Sequence, residues 1–125
     1  MARPSAIVTD AELSVLEYLW EHDASIVREI AFGLYSDNTP AYHATVNSLL
    51  DQLEKKKFVT RDRSGFAHRF AAAIERSDLV KSQLQEIADS HFDGALAPML
   101  LSLVEKIKLG HRDREAIRKI IDKIK

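Results

Sequence analysis

Residues 39–70, TPAYHATVNSLLDQLEKKKFVTRDRSGFAHRF, limit what this chain can fold into more tightly than any other stretch. Val46, Leu49, Leu50 and Leu53 recur at spacings of 3, 1 and 3, which draws one apolar stripe on a helix. The opposite face carries Ala44, Asn47, Ser48 and Asp51, with Thr45 beside it. These side chains are small or hydrogen-bonding, whereas a merely solvated face more often carries Glu and Lys. Lys55, Lys56 and Lys57 follow, and the first two suit the negative end of a helix dipole. Two short runs, Phe58–Arg63 and Phe66–Phe70, then flank Ser64-Gly65. They read as strands joined by a tight turn, with Gly65 supplying a conformation that other residues resist. Phe58, Val59 and Phe70 are expected inside, and Arg61, Arg63, His68 and Arg69 outside. A small polar helix face beside a basic hairpin is what a DNA groove requires.

The preceding residues supply the support for this unit. Thr9-Asp10-Ala11-Glu12 has the form of a capping box. Leu13, Leu16 and Trp20, with Val15 and Leu19, give the first helix a broad apolar face, and Trp20 is expected to anchor the core. His22–Ser25 breaks the pattern, and Ile26-Val27 suggests a short edge strand. A second helix starts at Arg28, with Val27, Ile30 and Leu34 facing inward. Thr39 as N-cap and Pro40 in the first turn open the third helix, which is expected to run to about Lys56. Three helices and a basic two-stranded hairpin make a winged helix-turn-helix over residues 1–74, in a chain that is mainly α with a small β-hairpin.

Residues 75–125 have a different character. Ser77 or Asp78 can cap a helix that keeps its spacing through Leu79, Val80, Leu84, Ile87 and Ala88 to about His91. Phe92-Asp93-Gly94 is a break. Ala95–Lys108 forms the next helix, and Pro98 is tolerated only near its start. Met99, Leu100, Leu101, Leu103, Val104 and Ile107 cover more than half of its circumference. Beyond Gly110, Ile117, Ile120, Ile121 and Ile124 form a last stripe. So much apolar surface without chemistry points to association with another chain, and a symmetric homodimer would set two reading heads on a two-fold operator. The alternative is an intramolecular bundle packed on the winged domain. The expected dimer residues are Leu100, Leu103, Val104, Ile107, Ile117, Ile120, Ile121 and Ile124.

The formal net charge of −1 conceals an asymmetry. Residues 1–54 hold two Lys/Arg against nine Asp/Glu, while residues 55–70 hold six against one. A nucleic-acid footprint is local, so the near-neutral total argues against nothing. The chain has no cysteine, which excludes disulfides, thiol catalysis and cysteine-bound metal. The five histidines lie too far apart for the usual zinc spacing, and no Walker, dinucleotide or Gly-x-Ser-x-Gly motif occurs. His68 reads as a phosphate contact or a packed imidazole. No apolar leader or membrane span is apparent. The expectation is a non-enzymatic, cytoplasmic, nucleoid-associated DNA-binding protein without cofactor. The competing reading is a winged-helix adaptor that binds a partner protein instead of specific DNA.

Three segments resemble the penicillinase-repressor family, which includes a copper-responsive branch. Thr9–Leu13 with Leu19-Trp20-Glu21 is similar to the family's opening helix, and Val27-Arg28-Glu29-Ile30 to its second. Thr45-Val46 through Leu53–Lys56, then Phe58-Val59, Arg61 and Ala67–Phe70, resemble its recognition helix and wing. The resemblance implies a bacterial dimeric repressor on palindromic double-stranded DNA operators, dimerised through its C-terminal helices. It assigns Ala44, Thr45, Asn47 and Ser48 to the groove, with Thr45 and Ser48 as hydroxyl contacts and Asn47 reading a base edge, adenine best. Arg61, Arg63 and Arg69 become phosphate contacts.

The departures from the family pattern are informative. Lys57 stands where the family usually has Gly in a left-handed cap, which implies strain. An added residue near Tyr42-His43 would move the start of the third helix to about Tyr42. Ile26 replaces an expected Thr, leaving Ser25 as the candidate cap. The cysteine pairs of the copper branch are absent. In the β-lactam branch a membrane sensor triggers proteolysis within the dimerisation helix, at an Asn-Phe bond in the staphylococcal repressors. Ser102-Leu103 occupies the matching positions here.

Overall fold

The fold begins with a cap. In the computed structural model, which describes residues 5–37, 39–106 and 110–124, Thr9 Oγ1 accepts from the Glu12 amide (3.1 Å). The Glu12 carboxylate accepts in turn from the Thr9 amide (2.9 Å). This capping box starts α1 (Asp10–Glu21), which buries Val15, Leu16 and Leu19. The Trp20 indole donates to the Ile74 carbonyl at 2.7 Å, so the expected anchor ties α1 to the chain leaving the hairpin.

α2 (Val27–Tyr35) starts differently from expectation. Ser25 does not cap it, because its hydroxyl donates to the Asp23 carbonyl (2.7 Å). The Glu29 carboxylate instead accepts from the Ile26 amide at 2.9 Å. The edge strand expected at Ile26-Val27 is a single antiparallel bridge one residue earlier, Ser25 to Phe70, with reciprocal bonds of 2.9 and 2.8 Å. It extends no further because Val27 is already helical.

α3 (Pro40–Lys55) starts at its proline: Thr39 is the N-cap, and its hydroxyl faces the Tyr42 amide at 3.4 Å. The later start near Tyr42 is not adopted. Tyr35 and Tyr42 stack with ring centroids 4.4 Å apart, bracing the entry of α3 against the exit of α2. Val46, Leu49, Leu50 and Leu53 are buried, as their spacing requires. Lys57 then adopts φ +67°, the left-handed turn expected of it, and the chain enters the hairpin.

The hairpin pairs β1 (Val59–Asp62) with β2 (Arg69–Ala72), in a register running from Val59 opposite Ala72 to Asp62 opposite Arg69. The second strand therefore starts three residues later than expected, and residues 63–68 form an open loop instead of a tight turn. Gly65 has no left-handed backbone; among described glycines only Gly94 does, at φ +82°. The Asp62 carboxylate accepts from the Ser64 amide (2.9 Å), which turns the chain early and widens the loop. Phe58, Val59 and Phe70 complete a core with Leu16, Ile30, Ala31 and the α3 stripe.

The chain divides into two compact units, Met1–Gln83 and Leu84–Lys125. The division falls inside α4 (Arg76–His91), whose first turns belong to the winged helix. Leu79 joins its core, and the Gln83 side-chain carbonyl accepts from the Val8 amide at 3.0 Å. α4 starts before the expected caps Ser77 and Asp78, with the Glu75 carbonyl accepting from Leu79 (2.9 Å).

In the second unit α4 ends where Phe92 and Gly94 both donate to the Ala88 carbonyl, at 2.7 and 2.9 Å. α5 (Leu96–Lys106) and α6 (His111–Ile124) follow. Pro98 is the third residue of α5, where it removes no intrahelical bond. Met99 is buried, Leu100, Val104 and Ile117 are half-buried, and Leu101 and Leu103 are 55% and 42% exposed. Asn38, Ile107 and the expected helix end at Lys108 lie outside the described residues, as do the side chains of Ile120, Ile121 and Ile124.

Candidate nucleic-acid interface

With its stripe turned into the core, α3 shows Ala44, Thr45, Asn47 and Ser48 to solvent, and all four are exposed. The Thr45 hydroxyl donates to the Ala41 carbonyl (3.0 Å), so in this arrangement it meets a ligand as an acceptor. Asn47 lies on the groove between α3 and the wing, a cleft of about 330 Å³. The same groove is lined by Arg28 from the first turn of α2, His43 from α3, and Phe66 and His68 from the hairpin loop. Arg28, His43 and Phe66 line this groove and are candidates that sequence reasoning missed. Nothing along the chain links residues 28, 43 and 66; only the fold does.

The wing arginines are less alike than their spacing suggests. Arg61, expected outside, is only 16% exposed at its side chain. A strand alternates its faces, so Arg61 shares the inward face of Val59, and the register sets it opposite Phe70. Its guanidinium lies 4.6 Å over the Phe70 ring, with Asp51 at 2.7 Å and Glu54 at 3.7 Å. Arg61 therefore clamps β1 to the C-terminal half of α3. Its buried Nε has no hydrogen-bond partner, only the longer approach to Glu54.

Arg63 is 58% exposed and leans on Glu54 at 3.4 Å. Arg69 is 54% exposed, donates to the Ala24 carbonyl (3.2 Å) and lies 3.8 Å from Glu29. His68 is exposed on the same loop. The Asp62 carboxyl is held below its ordinary pKa by the Ser64 hydroxyl and amide. The basic run of the sequence thus meets Asp51, Glu54 and Glu29 in space, and its positive field is narrower than a count along the chain implies. Arg63 and Arg69 are the exposed guanidinium groups at the wing, with the His68 imidazole exposed beside them.

A second, larger groove of about 590 Å³ runs between α1 and α2. Glu17, Glu21 and Glu29 line it, which makes it unsuited to a polyanion. Among the described residues no cluster of His, Asp and Glu has the makings of a metal site, and no helix is long and apolar enough to cross a membrane.

Three helices, a two-stranded wing and an exposed polar face on the third helix define a winged helix-turn-helix protein. The family model for the penicillinase repressor matches residues 8–123, and the chain belongs to that family. The penicillinase repressor of Bacillus licheniformis is 23% identical over 118 residues, covering 94% of this chain and 91% of its own. The transcriptional regulator BlaI of Mycobacterium tuberculosis is 29% identical over 114 residues, covering 90% and 80% respectively. The solved DNA-binding domain of the repressor BlaI matches 62% of this chain and 90% of its own, at 22% identity and a TM-score of 0.48.

Proposed function

We propose that this chain is a dimeric, sequence-specific DNA-binding transcriptional repressor acting at palindromic operators. The observation that carries the reading is one groove that joins the polar face of α3, at Asn47, to the loop of a wing that exposes Arg63, His68 and Arg69. Ala44, Thr45, Asn47 and Ser48 enter the major groove, where Asn47 reads a base edge. Arg63, Arg69 and Arg28 neutralise flanking phosphates, and His68 reaches one as a hydrogen-bond donor. Arg61 contributes by holding the wing at its angle to α3, and meets phosphate only when Asp51 and Glu54 release it.

The second unit joins two copies through Leu100, Leu103, Val104, Ile107, Ile117, Ile120, Ile121 and Ile124. Exposed Leu101 and Leu103 support this, as does a cleft of about 430 Å³ where Leu101, Val104 and Ile117 are rimmed by Glu105, Arg114 and Arg118. A cut near Ser102-Leu103, made by a membrane sensor protease or one that it activates, would break α5 and separate the reading heads. Repression would be relieved because one half-site binds weakly. The protein acts in the cytoplasm on the nucleoid, without a cofactor.

The test is a titration of the wild-type chain, at several salt concentrations, against DNA from upstream of its own gene. Specific binding with a steep salt slope is expected. Asn47→Ala should relax sequence choice, costing roughly 1–3 kcal/mol at one base pair. Arg63→Ala should weaken binding to all sequences and flatten the slope. No preference over random DNA would reject the reading, and capture of a partner protein instead would favour an adaptor.

A further inference from the structure

We infer that Phe66, at the tip of the wing, is an apolar wedge that enters the minor groove beside the bound major groove and lodges against a base step. The inference rests on the DNA-binding reading above. At 109% relative exposure, Phe66 has the most open large apolar side chain among the described residues. It stands on a loop whose first turn is fixed by the Asp62–Ser64 hydrogen bond and whose ends are closed by the pairing of Asp62 with Arg69. The ring is thus presented at the tip, beyond the paired strands.

Its surroundings decide the kind of partner. A protein-docking aromatic normally sits within an apolar patch. Phe66 shares its groove with the half-buried Ile26 and Val27, but along the wing its neighbours are Arg63, Ser64 and His68, all exposed, with Arg69 at the strand end. An exposed aromatic with Arg63 and Arg69 on the same wing, and Arg28 on the groove it borders, suits a polyanion whose interior is a stack of aromatic bases. Apolar wedges flanked by basic residues are a known way to open a base step from the minor groove. Phe66 also borders the groove that contains Asn47, so the ring lies next to the face proposed to read bases. Specificity would then extend to flanking steps that α3 never touches, because flexible pyrimidine–purine steps open most easily.

The probe is a duplex enriched by the wild-type chain from a random pool, with 2-aminopurine replacing adenine at successive flanking positions. Wild type should brighten the analogue at one step on each side, reporting unstacking. Phe66→Ala should abolish that signal and lower affinity roughly tenfold, the scale of one lost aromatic–base contact. Phe66→Trp should restore both. The salt slope should stay at the wild-type value, since no phosphate contact is removed. Wild-type affinity in Phe66→Ala, with no brightening by the wild type at any position, would overturn the wedge while leaving DNA binding intact. Failure of the wild-type chain to enrich any duplex would overturn both.

Discussion

In the winged unit, Val15, Leu16, Ile30, Ala31, Val46, Leu50 and Leu53 have no exposed surface at all, and Phe70 and Leu79 have almost none. In the second unit only Ala88 and Met99 are buried among the described side chains, and Leu101 and Leu103 stand open on α5. The contrast lies in what each segment can close by itself. Three helices crossing a hairpin enclose apolar side chains from several directions. The helices of the second unit are of similar length, but α5 buries only Met99 and leaves Leu101 and Leu103 open. Changes in the first unit should therefore alter stability at any protein concentration, and changes in the second should alter how behaviour depends on concentration.

The largest effect should follow truncation of Phe70, which is 1% exposed, lies beneath Arg61 and bridges Ser25 through its backbone. Phe70→Ala should cost about 3–5 kcal/mol in denaturant unfolding of the winged unit. The cost should be the same at low and high protein concentration. A concentration-dependent loss would mean that the winged unit is not closed on its own. Next comes the double substitution Leu101→Glu, Leu103→Glu. Both side chains are exposed, so helix content should survive, while sedimentation should give a monomer at micromolar concentration. Operator affinity should fall roughly 100-fold through loss of bivalent binding. A dimer that persisted would move the interface off the open face of α5.

A smaller effect is expected at Glu12. It caps α1 and also meets Lys56 at 3.1 Å, and Lys56 donates to the Ile7 carbonyl at 2.9 Å, tying the end of α3 to α1 and the segment before it. Burial raises the Glu12 pKa, but the Thr9 amide and then the Lys56 ammonium outweigh it, and the net shift is downward. A carboxyl held below its unfolded value stabilises the fold fully above that value, and the contribution disappears as pH falls through the folded one. Glu12→Gln should cost about 1–3 kcal/mol at neutral pH. It should also remove this part of the acid limb from the winged unit. An unchanged acid limb would show that the pair is not the source.

What could be read along the chain was local. The Thr9–Glu12 box, the Thr39-Pro40 start and the α3 stripe each depend on residues within about one turn of one another, and they form as expected. The hairpin was legible as a hairpin but not in register, because register is set by which residues pair across it. Pairing Val59 with Ala72 draws the second strand past Phe66 and leaves that ring at the tip. Arg61 was misjudged for a related reason: its partners Asp51 and Glu54 sit on another element, and only the strand's pleat shows that it faces them. Charge summed along residues 55–70 overlooked those carboxylates. The exposure of the polar α3 face was legible, and the inward turn of Arg61 was not.

The finest test of the winged unit's self-sufficiency is Lys57. Its φ of +67° follows directly on α3, with its amide donating to the Glu54 carbonyl at 3.0 Å and the next amide, of Phe58, to Leu53 at 2.9 Å. This closure sets where Phe58 enters the core and hence the angle of the wing. A side chain in the left-handed region is penalised by its Cβ, and glycine removes the penalty while adding freedom to the unfolded chain. The two effects oppose, and relief of strain should win by about 0.5–1 kcal/mol in Lys57→Gly. The gain should appear in the winged unit at every protein concentration, with self-association unchanged. Lys57→Ala keeps the Cβ and should gain nothing. If Ala stabilises as much as Gly, the relief comes from removing the third consecutive lysine charge, and the backbone at this junction is unstrained.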